Sequence, residues 1–339
     1  MKLFYLWINL FCLPLFLFGN AKVTVILDQS DGIIKPFGVT FDEDGNAYIA
    51  EYEGGRVRKL QANGKLITIS GTGQKGFSGE GVDASEAVFN GIHNIVRSSN
   101  GDLYISDTFN HLIRKIDGKS NLISTVAGIP QKKGFEGDGG QAKKAMLSNP
   151  ISISLTPDQT TLLISDISNK RIRSLDLKSG VISTIAGNGE KGNPNDGKLA
   201  IKQALRDPRA SVMDALNNIY ILERSGNALR VVRPDGTIVT LAGKSKKGAK
   251  DGPGLKATFS GPKHLCVDKD GRIIIADDNN NLIRMYNPKS KKVTTILGGG
   301  ATPATQLNRP HGVSIAPDGK LWICDSWNDR ILTLEDYKL

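Results

Sequence analysis

The chain predicts an all-β fold, a six-bladed β-propeller of four-stranded antiparallel blades, on three observations. One phrase recurs six times at spacings of 48 to 59 residues: an apolar strand, an acid, a short polar turn and a second apolar strand. Two further strand-like runs flank each copy, so four short strands fall between turn signals. The last copy lacks its fourth strand, and a matching run stands near the N-terminus.

The clearest copy is Leu103-Tyr-Ile-Ser-Asp107, followed by Asn110 in the turn and by Arg114. The others are Ala47-Tyr-Ile-Ala-Glu51 with Arg58, Leu162-Leu-Ile-Ser-Asp166 with Arg173, Ile219-Tyr-Ile-Leu-Glu223 with Arg230, and Ile273-Ile-Ile-Ala-Asp277 with Arg284. In the sixth, Leu321-Trp-Ile-Cys-Asp325, Leu332 stands where the Arg is expected and Arg330 lies nearby. Upstream of each phrase comes an inner strand such as Pro36-Phe-Gly-Val-Thr-Phe41, turning through an Asp-Gly pair at Asp44-Gly45. Downstream comes an outer strand ending in Thr125-Val-Ala-Gly128, Thr184-Ile-Ala-Gly187, Thr240-Leu-Ala-Gly243 or Thr295-Ile-Leu-Gly298. The sixth copy stops at Leu334 after three strands. Lys22-Val-Thr-Val-Ile-Leu27 reads like Lys292-Val-Thr-Thr-Ile-Leu297, so pairing the two chain ends closes the ring and hides its edges.

Residues 1–21 stand outside this scheme and read as a secretory signal peptide. Lys2 gives the positive start, Leu3–Phe18 is an apolar run broken by Asn9 and Pro14, and Gly19-Asn20-Ala21 offers a small-residue cleavage site. The run is 16 residues long, short of the ~18–20 that span a bilayer, which argues against the alternative of an uncleaved anchor. No other stretch is apolar enough to cross a membrane as a helix. The expected mature protein is therefore secreted or periplasmic, with residues 22–339 forming one propeller domain. Its two cysteines, Cys266 and Cys324, sit in strands of different blades and read as free apolar side chains; an exported location permits a disulfide, but the spacing does not indicate one.

Six copies in register over roughly residues 22–335 resemble the NHL-repeat family of six-bladed propellers. The resemblance implies the fold and leaves function open, because one fold hosts many activities.

Between blades lies a second repeat. Gly71-Thr-Gly-Gln-Lys-Gly-Phe-Ser-Gly-Glu-Gly81 leads to Ala84 and Gly128–Gly139 leads to Ala142; Gly187–Gly197 and Gly243–Gly252 follow suit, and the Ala/Leu stretch after them is expected to hold about one helical turn. Gly71-Thr-Gly-Gln-Lys-Gly76 and Gly187-Asn-Gly-Glu-Lys-Gly192 match a nucleotide fingerprint by letters, but antiparallel hairpins follow where a crossover helix is required. The acid-Gly pairs lack the alternating ligands of a calcium loop and read as turns.

An acid and an Arg present in every blade read as architecture, tying strand ends by charge-assisted hydrogen bonds. A site is better sought where the repeat is broken. At the start of the inner strand, Phe37 becomes His93, Ile151, Arg209, Lys263 and His311, and the next position, Gly38, becomes Asn94, Ser152, Ala210, His264 and Gly312. Three of the four histidines fall on these two columns. Two readings follow: imidazoles lining a polar channel mouth, or a single divalent metal, zinc or calcium, on His93 and His311. Arg309-Pro310-His311-Gly312-Val313 resembles the Pro-His motif by which amidating-lyase propellers ligate zinc; His93 matches by alignment with Ile92 replacing the proline, and His264 is displaced by one residue. Lactonase-type propellers use Glu, Asn and Asp around a divalent ion, of which only Asn94 has a counterpart.

The net charge of +10 concentrates in the insertions, at Lys132-Lys133, Lys143-Lys144 and Lys244-Ser-Lys-Lys-Gly-Ala-Lys250. These lysines are expected to ring the face that carries His93, Arg209, Lys263 and His311. Some NHL domains bind RNA through a basic face, but an exported protein meets little RNA, and the loops offer few aromatics beyond Phe77 and Phe135 for stacking. The reading is a monomeric binding or scaffold module for a protein, an anionic glycan or an envelope polymer, with Asn94, Arg209, Lys263 and His264 as ligand contacts and no nucleic acid. The alternative is a metal-dependent lyase or hydrolase in the central channel.

Overall fold

In a computed structural model, residues 21–78 and 80–337 are described. The signal-peptide expectation falls on residues 1–20, outside the described residues, save for Ala21.

Six antiparallel sheets stand side by side. Their inner strands are Pro36–Phe41, Ile92–Arg97, Pro150–Leu155, Pro208–Met213, His264–Val267 and Gly312–Ile315. Each packs against the inner strand of the next blade, and the last packs against the first, around a central channel. The ring closes as the sequence predicts: Lys22–Leu27 pairs antiparallel with Arg330–Glu335, Val23 opposite Leu334, and becomes the outer strand of blade six. Apolar side chains from neighbouring blades fill the spaces between them; Tyr48 and Ala50 of blade one meet Ile92, Ile95 and Ile105 of blade two around Phe89. Each such fully buried side chain contributes about 1.5–3 kcal/mol.

The repeated acid pins the chain that leads into its own blade's inner strand. Glu51 accepts the Ile34 N–H at 3.0 Å, Asp107 that of Asn90 at 2.8 Å, and Asp166 that of Ser148 at 2.7 Å. Glu223, Asp277 and Asp325 accept from Arg206, Ser260 and Asn308 at 2.7, 2.8 and 2.7 Å. Arg then neutralises the acid, at 3.3 Å for Arg173–Asp166, 2.8 Å for Arg230–Glu223 and 2.9 Å for Arg284–Asp277. In blade six Arg330 takes the role from two residues earlier in the strand at 2.6 Å, and in blade one Arg56 and Arg58 share it. An Asn three residues after the acid donates to it in four blades at 2.7 to 2.8 Å. Burial pushes the Asp107, Asp166 and Asp277 carboxyls up to about 6 against these hydrogen bonds, so they remain ionised at neutral pH.

The insertions descend the outer wall of the blade they lead to. Val82–Asp83, Lys198–Leu199 and Gly252–Pro253 each add a fifth strand at the far end of its outer strand, covering an edge. The expected helical turns are single 3-10 turns, Ala84–Glu86, Ala142–Lys144, Ala200–Lys202 and Gly254–Lys256. Their acid-Gly pairs serve as clamps: Asp138 holds Arg173 at 2.6 Å, Asp251 holds Arg284 at 2.5 Å, and Glu80 and Asp196 accept the Thr125 and Thr240 N–H groups at 2.6 and 2.9 Å. The glycine ending each outer strand is required by its backbone. Gly187 has φ 88°, and a Cβ there would run into the Lys170 carbonyl oxygen. Cys266 and Cys324 are both free.

Replacing Asp166 by Ala takes away the acceptor of the Ser148 N–H and of the Asn169 amide and leaves Arg173 with Asp138 alone. Urea denaturation is expected to show a loss of about 2–3 kcal/mol. A loss under about 1 kcal/mol, the scale of a surface pair, would contradict the pinning role.

Candidate functional site at the channel mouth

Pinning fixes how each inner strand begins. A left-handed residue leads into it in all six blades, directly before the strand in blades one to four and three residues before it in blades five and six, with φ of 44° at Lys35, 76° at Gly91, 52° at Asn149, 49° at Asp207, 59° at Gly261 and 48° at Arg309. In blades one to four the pairing register then slips by one residue, as between Pro36 and Gly38. In blades five and six, Lys263 and His311 donate their N–H groups to Ala276 and Cys324 just ahead of regular pairing. A bulge of this kind re-aims a side chain. Phe37, His93, Ile151, Arg209, Lys263 and His311, the column aligned in the sequence, all line one cavity of about 440 Å³.

The cavity has two unlike walls. Blades six, one and two supply an aromatic wall. The Phe37 ring lies stacked between Tyr52, with centroids 4.4 Å apart, and His311, at 3.8 Å, while Trp327 lies 5.7 Å away and His93 meets Phe37 edge-on at 5.4 Å. Blades four and five supply a cationic wall of Arg209, Arg224 and Lys263, and Ile151 and Ile167 of blade three fill the gap. Among the described residues Glu53 is the one carboxylate in the lining, and it is exposed. Arg224 is paired with Asp207 at 3.2 Å, and Arg309, behind the wall, with Asp278 at 2.9 Å.

Arg209 is different. It is 3% exposed, and its Nη2 donates to His311 Nε2 at 2.6 Å, while its Nε is buried without a partner. No carboxylate among the described residues forms an ion pair with it. Burial and the neighbouring Arg224 push the guanidinium down to about 9, so it stays charged at neutral pH. Because Arg donates, His311 must accept through Nε2 and carry its proton on Nδ1, which is itself buried without a partner. His93 likewise donates from Nδ1 to the Gly91 carbonyl at 3.1 Å. Burial, then the field of Arg209, drives both imidazoles well below their ordinary range, so both are neutral.

Asn94 and His264, expected beside these groups, do not line the cavity; they lie one residue deeper. His264 reaches across the channel, accepting from Asn94 Nδ2 at 3.2 Å through Nε2 and donating from Nδ1 to the Val313 carbonyl at 3.2 Å. Asn94 Oδ1 in turn accepts the Ile153 N–H at 3.1 Å. The pair is a polar plug beneath the cavity floor, with both His264 nitrogens and the Asn94 amide bonded within the ring.

These residues do not fit a divalent cation. Among the described residues no three His, Cys, Asp or Glu side chains are placed to hold a metal. The His311 nitrogen that would ligate it faces a guanidinium, and the ring is covered by Phe37. The displacement of His264 by one residue turns its ring away, as the period of a strand requires.

The NHL repeat family model matches residues 307–333, the stretch that leads into blade six and forms its first strands. At 27% identity, NHL repeat-containing protein 2 of Gallus gallus aligns with 89% of this chain and 46% of its own length. This chain is a six-bladed propeller that carries an NHL repeat in its last blade. It spans under half the length of that curated relative. Among solved structures, an auxiliary nutrient binding protein from Bacteroides thetaiotaomicron VPI-5482 superposes with a TM-score of 0.68 at 14% identity, over 93% of this chain and 76% of the other. A streptogramin B lyase superposes with a TM-score of 0.57 at 14% identity, over 93% and 97%. At these identities the likeness is one of fold.

Sequence reasoning on this propeller missed Tyr52, Phe109, Arg224 and Trp327. They follow the repeated acids by one or two residues, and the column directly after the acid (Tyr52, Thr108, Ile167, Arg224, Asp278, Ser326) is as broken as the column of Phe37. The lysine expectation needs correction. Lys143 lies at the opposite end of the ring, in a cleft of about 680 Å³ between blades two and three, because its insertion has run down the blade's outer edge. That cleft's Lys115 is already paired with Asp102 and Asp117.

Burial holds His264 down at about 4, against ~6.5 in the unfolded chain. Between those values the unfolded chain takes up a proton that the native state does not, so stability falls as pH drops. Wild type is expected to lose about 2 kcal/mol relative to His264→Gln between pH 6.5 and 4.5, read from urea titrations of both proteins; comparing the two cancels the carboxylate titrations they share. Parallel pH profiles would contradict the neutral plug.

Proposed function

We propose that this propeller is a binding module for a small organic acid with a flat apolar body, held at the channel mouth. The observation that carries the reading is Arg209, a buried guanidinium with no carboxylate partner among the described residues, set opposite an aromatic wall. A buried charge is strongly unfavourable unless it is paired, and an incoming carboxylate supplies both the charge and the acceptor atoms that Arg209 lacks. The apolar body then stacks on the edge of Phe37, Tyr52 and Trp327. A cavity of about 440 Å³ suits a ligand of that size. A positively charged lining disfavours a metal ion for the same reason that it favours an anion. The auxiliary nutrient binding protein represents a ligand-binding use of this fold. The signal-peptide reading of residues 1–21 makes the site one for a ligand met outside the cytoplasm.

The test is calorimetric titration with 3-phenylpropionate, alongside its neutral amide. Loss of charged hydrogen bonds is expected to weaken acid binding to Arg209→Gln by at least about tenfold. Equal binding of acid and amide, or an unaffected variant, would overturn the reading. Burial and Arg209 hold the Lys263 ammonium down to about 7. The charged form attracts the anion, so affinity is expected to rise as pH falls from 8 to 6 and then level off. Isothermal titrations at three pH values check this sign.

A further inference from the structure

Lys263 is the mouth's other unpaired cation. It sits on the inner-strand column beside Arg209 and lines the same cavity, and it forms no ion pair among the described residues. The nearby carboxylates are engaged elsewhere, Asp207 by Arg224 and Asp278 by Arg309. We propose that Lys263 is a covalent anchor, whose amine condenses with the carbonyl of a 2-oxo acid while Arg209 holds that acid's carboxylate. The inference rests on the anion-binding reading and names a ligand class within it.

A carboxylate and a carbonyl on adjacent carbons need a cation and an amine side by side, and neighbouring blades place Arg209 and Lys263 in one lining. The groups around the amine are Arg209 and Arg224 of blade four, Asp278 of blade five and Arg309 of the loop before blade six, with only Asp278 favouring the ammonium. Burial, then the Arg209 charge, brings Lys263 down to about 7. A large share of the amine is thus neutral and nucleophilic at physiological pH, unlike a surface lysine near ~10.4. The nitrogen lone pair adds to the carbonyl carbon, and the carbonyl electron pair moves onto oxygen, which takes a proton. The nitrogen sheds one proton to solvent, the hydroxyl takes up a second proton and leaves as water, and the nitrogen loses its remaining proton, so that a neutral C=N bond remains. One water is released, and nothing is oxidised or reduced. The aromatic wall selects a 2-oxo acid with an aromatic side chain.

The experiment incubates the protein with phenylpyruvate and sodium cyanoborohydride, which reduces the imine to a stable amine, and maps the product by peptide mass spectrometry. The expected result is one adduct on the peptide containing Lys263, heavier by the acid less one oxygen atom. Labelling should exceed that of any surface lysine by at least about tenfold, with a rate that rises through pH 7. Lys263→Arg, which keeps the charge, should abolish it, with circular dichroism confirming the fold. Adducts spread over surface lysines, or none at Lys263, overturn the proposal. Binding of 3-phenylpropionate separates the two readings. If that acid binds and Lys263 is unlabelled, the anchor fails and the anion site stands; if neither occurs, both fail. An adduct at Lys263 without measurable 3-phenylpropionate affinity upholds the anchor and assigns the affinity to the covalent bond.

Discussion

One hydrogen bond, repeated six times, organises this molecule: the buried acid at the end of the second strand accepts an N–H from the loop that leads into its blade's inner strand. The bond spans the channel mouth side of every blade. It sets where the lead-in loop ends, which sets the left-handed residue, the bulge and finally the direction of the side chain that follows. The acid pays for its own burial through an Arg whose position differs among blades, as Arg330 and Arg56 show. A buried ion pair adds little net stability, yet removing one partner is severe. Its value here is geometric. It converts six different sequences into six side chains aimed at one point.

The division between constant and variable positions follows from that. The pin, the asparagine beside it and the glycine closing the outer strand answer to backbone needs that every blade shares. The positions next to the pin answer to nothing in the blade, so they are free to differ. The mouth carries Phe37, Tyr52, His311 and Trp327 on one side and Arg209, Arg224 and Lys263 on the other, and one hydrogen bond, Arg209 to His311, joins the halves. That bond fixes the tautomer of His311 and leaves Arg209 with an unmet Nε. An unmet donor on a buried cation is a polar vacancy of definite sign and shape.

Most of the fold was legible in the sequence because its signals are local and met six times over. Strand alternation, the Asp-Gly turns and the matching ends that close the ring all reach the structure unchanged. The inner-strand column was legible too, since aligning on a turn is enough to find it. The one-residue step between Arg209 and His264 was legible as well, but not which column faces the cavity. In blade four a bulge, invisible in residue types, sets it for Arg209, while His264 crosses the channel to Asn94. Nor did the lysine-rich insertions reveal their path, because a descent along an outer edge depends on pairing with a strand more than 30 residues further on, as Val82–Asp83 pairs with Leu122 and Ile123.

The most direct test of a mouth with one aromatic and one cationic wall is a crystal soaked with 4-bromobenzoate and measured at the bromine absorption edge. The account predicts a single anomalous peak over Phe37, Tyr52 and Trp327, with the carboxylate turned toward Arg209. A peak elsewhere on the ring, or a bromine pointing at Arg209 and Lys263, would contradict it.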